Sequence, residues 1–449
     1  MREFQRVHRA TPLLKFWTTI LAVFAVIIAN INSVGLKEIA DFLRGEEVQL
    51  WWFAAGIGVF LLSCALVWGI SGIWWRAMGF RLGDDEVELK HGVISTTVRS
   101  ARYERIQSVD VVEPVIARIF RVAKVRIETA GGAGSTLEIL YLRKPKAERV
   151  CAEVLARARG EDMEERSLTE PVHAALIPEI PIQRSLLAAV IHPASVVVLL
   201  STVFGFVVPG GFGAVIPVFV GLLPWVWGIV DKSWRFTAEV DNDALNVTYG
   251  LADKRRQTIP LARIHAVKIA QPVLWRPFNW WSVIVSTAGY GMRDKQAGTS
   301  MLLPVGTREQ ALAMLCVLSP LTEQDVVTHA QPERATQPQY RSPKSAWWVS
   351  PIDQGQQAVT LLGERAVVTH SGRFGHRMSV IAPEHIQELS LQRGPIAQGL
   401  GLADVRFDLV PGPVQMSGKQ LLLADAQQLL EVLRKRALPS IQNAISSRH

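Results

Sequence analysis

GFRLGDDEVELKHGVISTTVRSARYERIQSVDVVEP, residues 79–114, and FTAEVDNDALNVTYGLADKRRQTIPLARIHAVKIAQP, residues 236–272, are the two stretches whose comparison decides the fold. Both are short runs of alternating apolar and polar residues broken by Gly, Asp and Asn, the period-two pattern of strands and turns. In the first, Gly92 precedes Ile106 by 14 residues, and in the second Gly250 precedes Ile264 by the same 14. A further 24 residues lead to Ala130 and Ala288, and a third set with the same spacings is Gly372, Ile386 and Val410. One unit has been copied, and a repeat governs every later reading.

Outward from this pattern, each copy continues with a later strand, VRIETAGG from Val125, VIVSTAGY from Val283 and VRFDLVPG from Val405. Another strand is predicted around residues 137–142, 301–305 and 420–423. The period then changes to helical in PKAERVCAEVLARA (145–158), TREQALAMLCVL (307–318) and ADAQQLLEVLRKRA (424–437). Several strands closed by one amphipathic helix describe a small β-barrel or sandwich whose helix buries its apolar stripe against the sheet.

Between the copies lie apolar runs. Residues 16–36 and 48–75 carry no charge, and Ser185–Val230 is 46 residues without one, interrupted by Pro209-Gly210-Gly211-Phe212-Gly213. Each of the first two is long enough for a hydrocarbon core of about 30 Å, and the third is read as two spans joined by a turn. The fold class is therefore α-helical membrane spans plus mainly-β domains: four transmembrane helices in two hairpins and three small barrels, each capped by a C-terminal helix. The expected organisation is an N-terminus (1–15), hairpin one (16–75), domain one (76–158), a linker (159–184), hairpin two (185–230), domain two (231–320), a linker (321–345), domain three (346–437) and a tail (438–449).

Orientation follows from charge. Arg2, Arg6, Arg9 and Lys15, then Arg76, Arg184, Lys232 and Arg235, flank the spans on one side, while Glu38, Asp41, Glu46 and Glu47 dominate the first inter-span loop. Positive residues stay inside, so both termini and all three domains are expected on the cytoplasmic side of a membrane that the chain crosses several times. Trp51, Trp52, Trp74, Trp75, Trp225, Trp227 and Trp234 sit where the water interface should be. His192 inside the third span lacks an acidic partner and reads as a neutral, satisfied histidine.

The net charge is +8, and the repeats carry it: about +4 over 76–150, +5 over 232–319 and +3 over 341–437. Basic faces suit an anionic lipid surface. No concentrated basic helix or aromatic RNA-binding signature is present, which argues against nucleic acid. Three cysteines, Cys64, Cys151 and Cys316, are too few to staple such a chain and read as reduced, buried thiols. There is no phosphate-binding glycine loop, zinc-spaced Cys/His set or G-x-S-x-G elbow, so neither an enzyme nor a cofactor is expected. His370, His376 and His385 have no supporting carboxylate and Cys pattern, and no metal site is expected there.

Candidate contacts come from a segment shared by copies one and two. Pro114-Val115-Ile116-Ala117-Arg118-Ile119-Phe120 matches Pro272-Val273-Leu274-Trp275-Arg276-Pro277-Phe278, which continues Asn279-Trp280-Trp281. Arg118 and Phe120, and Trp275, Arg276, Phe278 and Trp280, are candidates to dip into the headgroup layer, guanidinium on phosphate and rings at the interface. The competing reading is a short turn packed on its own barrel. Lys254-Arg255-Arg256, read as lying in a turn, is a second candidate for anionic lipid against a merely solvated loop. Copy three has Gln398 at the arginine position.

The triplets Arg105-Ile106-Gln107, Arg263-Ile264-His265 and His385-Ile386-Gln387, the Thr-Ala-Gly turns at Thr129 and Thr287, and the preceding hairpins resemble the bacterial PH-like membrane-flanked domain family in its YdbT-like, multi-domain form. The resemblance implies a pleckstrin-homology fold, a partly open seven-stranded barrel with a C-terminal helix, and no catalytic residue. Copy three departs from the pattern, with Val410-Pro411-Gly412 for Thr-Ala-Gly and a polar linker in place of a hairpin. It is expected to hang from that linker and meet a protein partner. The expected function is a lipid-apposed binding and assembly platform, in complex with a shorter membrane-flanked-domain subunit. The alternative is an accessory component of an export or envelope-defence system, such as antimicrobial peptide resistance.

Overall fold

The computed structural model describes residues 78–92, 96–129, 136–159, 174–208, 212–241, 244–287, 300–410 and 412–435, with Gln5, Arg6, His8, Thr11, Gly58, Leu62, Ala65 and Gly69. Apart from the last four of these, the first expected hairpin lies outside the described residues, as do the repeat positions Ala130 and Ala288. The chain forms two compact units, residues 1–127 with 136–166, and 128–135 with 167–449.

Every copy has the same strand order, four antiparallel strands in one sheet, three in another, and then a helix. Copy one uses β1 (Gln5–Arg6), β2 (Gly79–Leu82), β3 (Glu86–His91) and β4 (Thr97–Arg102), then β5 (Ile106–Pro114), β6 (Val122–Thr129) and β7 (Leu137–Arg143). Copy two uses β8 (Ala174–Ile177), β9 (Thr237–Asp241), β10 (Ala244–Tyr249) and β11 (Asp253–Pro260), then β12 (Ile264–Gln271), β13 (Trp280–Thr287) and β14 (Met301–Thr307). Copy three uses β15 (Tyr340–Arg341), β16 (Ala358–Leu362), β17 (Ala366–Ser371) and β18 (His376–Ile381), then β19 (Glu388–Gln392), β20 (Leu402–Asp408) and β21 (Met416–Leu422). The closing helices are Lys144–Arg159, Arg308–Leu318 and Leu423–Arg434. Because β4 and β5, β11 and β12, and β18 and β19 lie in different sheets, each copy is, among the described residues, two sheets plugged by a helix, the sandwich or open barrel expected, with no closure of the barrel seen.

The repeat residues have identifiable work. Gly92, Gly250 and Gly372 take φ of 114°, 118° and 87°, a backbone region that penalises any Cβ. A Cβ on Gly250 would stand 1.9 Å from the Asp253 carbonyl oxygen, and one on Gly372 1.9 Å from that of Gly375. Gly250 and Gly372 each start a tight turn. Fourteen residues on, Ile106, Ile264 and Ile386 follow 3-10 turns (Tyr103–Arg105, Leu261–Arg263 and Pro383–His385) and are buried. Each such burial is worth about 2 kcal/mol. The closing helices bury residues three and four apart, such as Ala311, Met314, Leu315 and Leu318, in the cores of their copies. Cys151 and Cys316 form no disulfide and are half-buried, less enclosed than expected.

The first strand of each copy lies well upstream of the rest. β8 pairs with β9 across the whole segment 178–236, and β15 pairs with β16 across 342–357. Residues assigned from sequence to linkers, Ala174–Ile177 and Tyr340–Arg341, are thus strands.

Copies two and three do not stand apart on a tether. β12 pairs antiparallel with β18 from Ala266↔Ile381 to Gln271↔His376, making one seven-stranded sheet in the order β14-β13-β12-β18-β17-β16-β15. Ala366, Val368, Met378 and Val380 of copy three belong to the same core as Val267, Ile269 and Trp281 of copy two. The segment expected to be a linker carries the helix Glu323–Thr328, opened by a capping box between Thr322 and Asp325. It buries Leu321, Val326 and Ala330. Arg365 grips Asp325 with two contacts of 3.1 Å, and His370 Nε2 meets the Gln331 carbonyl oxygen at 2.9 Å. Gly412, part of the departure from Thr-Ala-Gly, fits here: Val414 N donates to Ser286 Oγ at 3.1 Å, and a Cβ on Gly412 would be 2.4 Å from that oxygen.

Candidate functional site

Between β8 and β9 the chain makes a helical excursion: Ile182–Val190, Pro193–Val207 and Phe212–Ser233. No single helix among the described residues is long and apolar enough to cross a membrane; the bent pair Ile182–Val190 and Pro193–Val207, 56° apart, reaches that length and composition only when taken together. Leu199, Leu200, Val203, Phe206, Val220, Leu223, Trp225 and Trp227 are exposed on the excursion. His192 sits at the bend, where Nδ1 accepts from Ala194 N at 3.3 Å and caps the helix that begins at Pro193. An accepting nitrogen carries no proton, so the geometry suits the neutral ring.

The base of this excursion is bolted to copy two. Ser185 Oγ donates to the Ser233 carbonyl at 3.0 Å, and Ser233 Oγ donates to that of Ile229 at 2.7 Å. Asp231 Oδ1 accepts from Leu251 N at 2.9 Å and Ala252 N at 2.7 Å, in the turn opened by Gly250. Trp275 Nε1 donates to the Ala188 carbonyl at 3.0 Å, and the His192 ring lies 5.8 Å from Trp275 and 4.1 Å from Trp225.

The candidate residues therefore divide. Trp275 is 3% exposed and plugs the foot of the helices, so it does not face outward as expected. Arg276, instead of lying free for a phosphate, has its Nη2 on the His376 ring of copy three, 3.3 Å from Nδ1 and closer still to Nε2. Phe278 is exposed and stacks at 4.8 Å on the half-buried Trp280, and Val273 and Leu274 beside it are exposed too. In copy one the helix Val115–Ile119 packs through Ile116 and Ala117 on Val122 and Tyr141, while Val115, Ile119 and Phe120 point out and Arg118 is half-buried. One face of each segment is core and the other is an exposed apolar edge. Copy three has the same turn as Pro395–Gly399, with Ile396 exposed.

Lys254-Arg255-Arg256 is not in a turn but in β11. Period two splits it: Lys254 and Arg256 are exposed on one face, while Arg255 shares the other with Asp253, 3.8 Å away. The three copy-three histidines also separate. His376 meets Arg276, His370 the Gln331 carbonyl, and His385 stacks at 4.2 Å on His265. Among the described residues no group of three or more His, Cys, Asp or Glu could hold a metal ion. A cleft of about 940 Å³ in copy one mixes Arg81, Arg102 and Arg157 with Asp84, Asp85, Glu86, Glu88 and Glu104, a poor seat for an anionic headgroup.

The sequence pattern of the bacterial PH domain matches residues 22–158, 186–318 and 346–437, most of the chain. The chain belongs to the bacterial PH domain family. A relative of this bacterial PH domain protein is the transmembrane protein YdbT of Bacillus subtilis (strain 168), 26% identical over 359 residues, 71% of this chain and 70% of that one. Within the family frame, one outward-facing group escaped the sequence reading. The excursion between β15 and β16 exposes Trp347, Trp348, Val349 and Ile352. Its adjacent tryptophans, like the Trp51-Trp52 and Trp74-Trp75 pairs, were the available signal.

Proposed function

We propose that this bacterial PH domain protein is a non-enzymatic, multi-pass protein of the bacterial cytoplasmic membrane that presents three PH-like domains at the cytoplasmic face as an assembly platform. The observation that carries it is the helical excursion 182–233, whose exposed leucines, valines and tryptophans make a surface too apolar for water, on a base bonded to copy two. The relative's description as a transmembrane protein supports the same reading. Arg184 near the start of the excursion and Lys232 and Arg235 at its end favour a cytoplasmic base. Four spans in two hairpins then tie copies one and two to the bilayer. Val115, Ile119 and Phe120, and Val273, Leu274 and Phe278, are the groups we assign to shallow lipid contact, with Arg118 as the candidate for an anionic headgroup.

The partner we propose is a shorter membrane-flanked-domain subunit. Two copies in this chain unite edge to edge through β12 and β18, and β19 holds in copy three the place that β12 holds in copy two. Among the described residues β19 is an edge of its sheet, flanked by β20. An edge strand of that kind accepts a partner strand. No observation favours the export reading: the described part of the excursion has one ionisable group in its apolar stretch, His192, and that group caps a helix.

The test is extraction and topology. The protein should resist carbonate and yield only to detergent, and reporters after Arg76 and at the C-terminus should both report cytoplasm. Release by carbonate would sink the membrane reading, and an external reporter would overturn the orientation. Ser390→Pro in β19 should abolish co-purification with the shorter subunit while leaving extraction unchanged.

A further inference from the structure

Copy three carries an exposed aromatic loop in the place where copy two has its helical excursion. In copy two, Asp231 lies at the end of the excursion, 19 residues before the repeat glycine, Gly250, and its Oδ1 accepts from the backbone N–H of the next residue, Leu251. In copy three, Asp353 lies 19 residues before the repeat glycine, Gly372, and its Oδ1 accepts from the backbone N–H of the next residue, Arg373, at 3.0 Å. The two aspartates perform one task in one place. What precedes Asp231 is the apolar helical excursion; Asp353 lies instead in a short loop between two 3-10 turns, Lys344–Trp348 before it and Gln354–Gln356 just after it.

That loop is too short to cross a bilayer, which takes about 20 residues in a helix. Its apolar side chains nonetheless point outward: Trp348 is 73% exposed, Trp347 53% and Ile352 52%. Trp347 and Trp348 stand edge to face, 5.2 Å between centroids, as a preformed pair. Phe374, 58% exposed, is in the turn that Asp353 holds. Lys344 and Arg373, both exposed, flank the group with positive charge. Tryptophans with basic neighbours on a surface loop suit the headgroup layer of a bilayer.

Register places the loop at the same end of the sheet as the foot of the helices. Ala358 pairs with His370 and Ser371 with Arg377, so the loop before β16 and the turn between β17 and β18 emerge together. His376 pairs with Gln271 at the end of β12, and the His376 ring bonds Arg276 in the segment whose Trp275 plugs the helices. The turn between β16 and β17, with Gly363 and Glu364, is at the opposite end.

We propose that Trp347, Trp348, Ile352 and Phe374 insert into the cytoplasmic interface of the bilayer, so that copy three is a membrane-seated domain that wedges in without crossing. This rests on the membrane reading above, and its occupant is lipid. The third copy is then held at the membrane face from two sides, by its shared sheet with copy two and by its own wedge.

The test uses the full chain in vesicles of phosphatidylglycerol and phosphatidylethanolamine, with native cysteines replaced by alanine and an environment-sensitive fluorophore on Trp348→Cys, Phe374→Cys or, as control, Glu364→Cys. Lipids carrying a shallow nitroxide should quench the labels at 348 and 374 about threefold more than the label at 364. Equal, weak quenching at all three sites in a protein that still resists carbonate overturns the wedge and leaves the membrane reading standing. Failure to enter vesicles at all sinks the membrane reading instead. A label at 348 that is shielded from water but not quenched by the nitroxide lipid points to a protein contact and also overturns the proposal. In neutral phosphatidylcholine the quenching at 348 should persist but weaken, because Lys344 and Arg373 lose their counter-charge.

Discussion

Single residues carry the geometry of the repeat. Gly250→Ala and Gly372→Ala should each cost about 3 kcal/mol, since both a positive φ and a carbonyl oxygen at 1.9 Å stand against the new Cβ. Gly363 also has positive φ, +58°, but nothing within 4 Å of its would-be Cβ, so Gly363→Asn should cost less than about 1 kcal/mol. Apparent melting midpoints of the detergent-solubilised chain compare the three. Histidines at the junction of copies two and three set an acid limit. Burial, with His385 and Arg263 adding repulsion, lowers the His265 pKa to about 4; burial does the same for His370. Below the ordinary value of 6.5 the unfolded chain takes up protons that the folded chain refuses, so stability should fall steadily from about pH 6.5 to about pH 4. His265→Gln should flatten part of that fall, with His370 accounting for a further share; an unchanged slope would count against this assignment. These burials come from contacts between distant strands, which spacing alone does not reveal.

At the scale of elements, strands and closing helices followed from periodicity, because period two and period 3.6 are local properties of the chain. What periodicity missed were the shortest strands. β8 and β15 are four and two residues long, and their partners β9 and β16 are not adjacent in the chain but follow the intervening segments 178–236 and 342–357. No local pattern marks such a pairing. β18 is the element on which the union of copies depends, and it is bonded on both sides, to β17 and β12. Ser379→Pro at its middle removes a donor from a central strand, where proline is not tolerated. The expected result is that residues 321–345, resistant to limited proteolysis in the parent chain, become the first site of cleavage. Ready cleavage of the parent there would contradict the packing of Leu321, Val326 and Ala330. The Arg-aromatic segments were legible as a repeated motif, but not their division into a core face and an exposed face. Trp275 and Phe278 have similar sequence surroundings, and only the helices packed over Trp275 separate their roles.

Over the whole molecule, copies two and three share a sheet and a core, so they should open as one unit. Amide exchange in β12 and in β17 should report the same opening free energy, and Ser379→Pro should separate the two. Different protection in the parent chain would mean that the shared sheet is not cooperative. By itself the sequence determined the threefold repeat, the alternation of apolar runs with mainly-β units, the basic balance and the turn glycines, because spacing, hydropathy and steric tolerance are written residue by residue. Only the tertiary structure decided that the third copy is fused through β12 and β18, that Trp275 and Arg276 serve internal contacts, and that Trp347 and Trp348 stand in the loop between β15 and β16 that answers to the 182–233 excursion of copy two. Those outcomes depend on which edges and faces meet, and hydrogen-bond register between strands about a hundred residues apart is set by packing that no local pattern encodes.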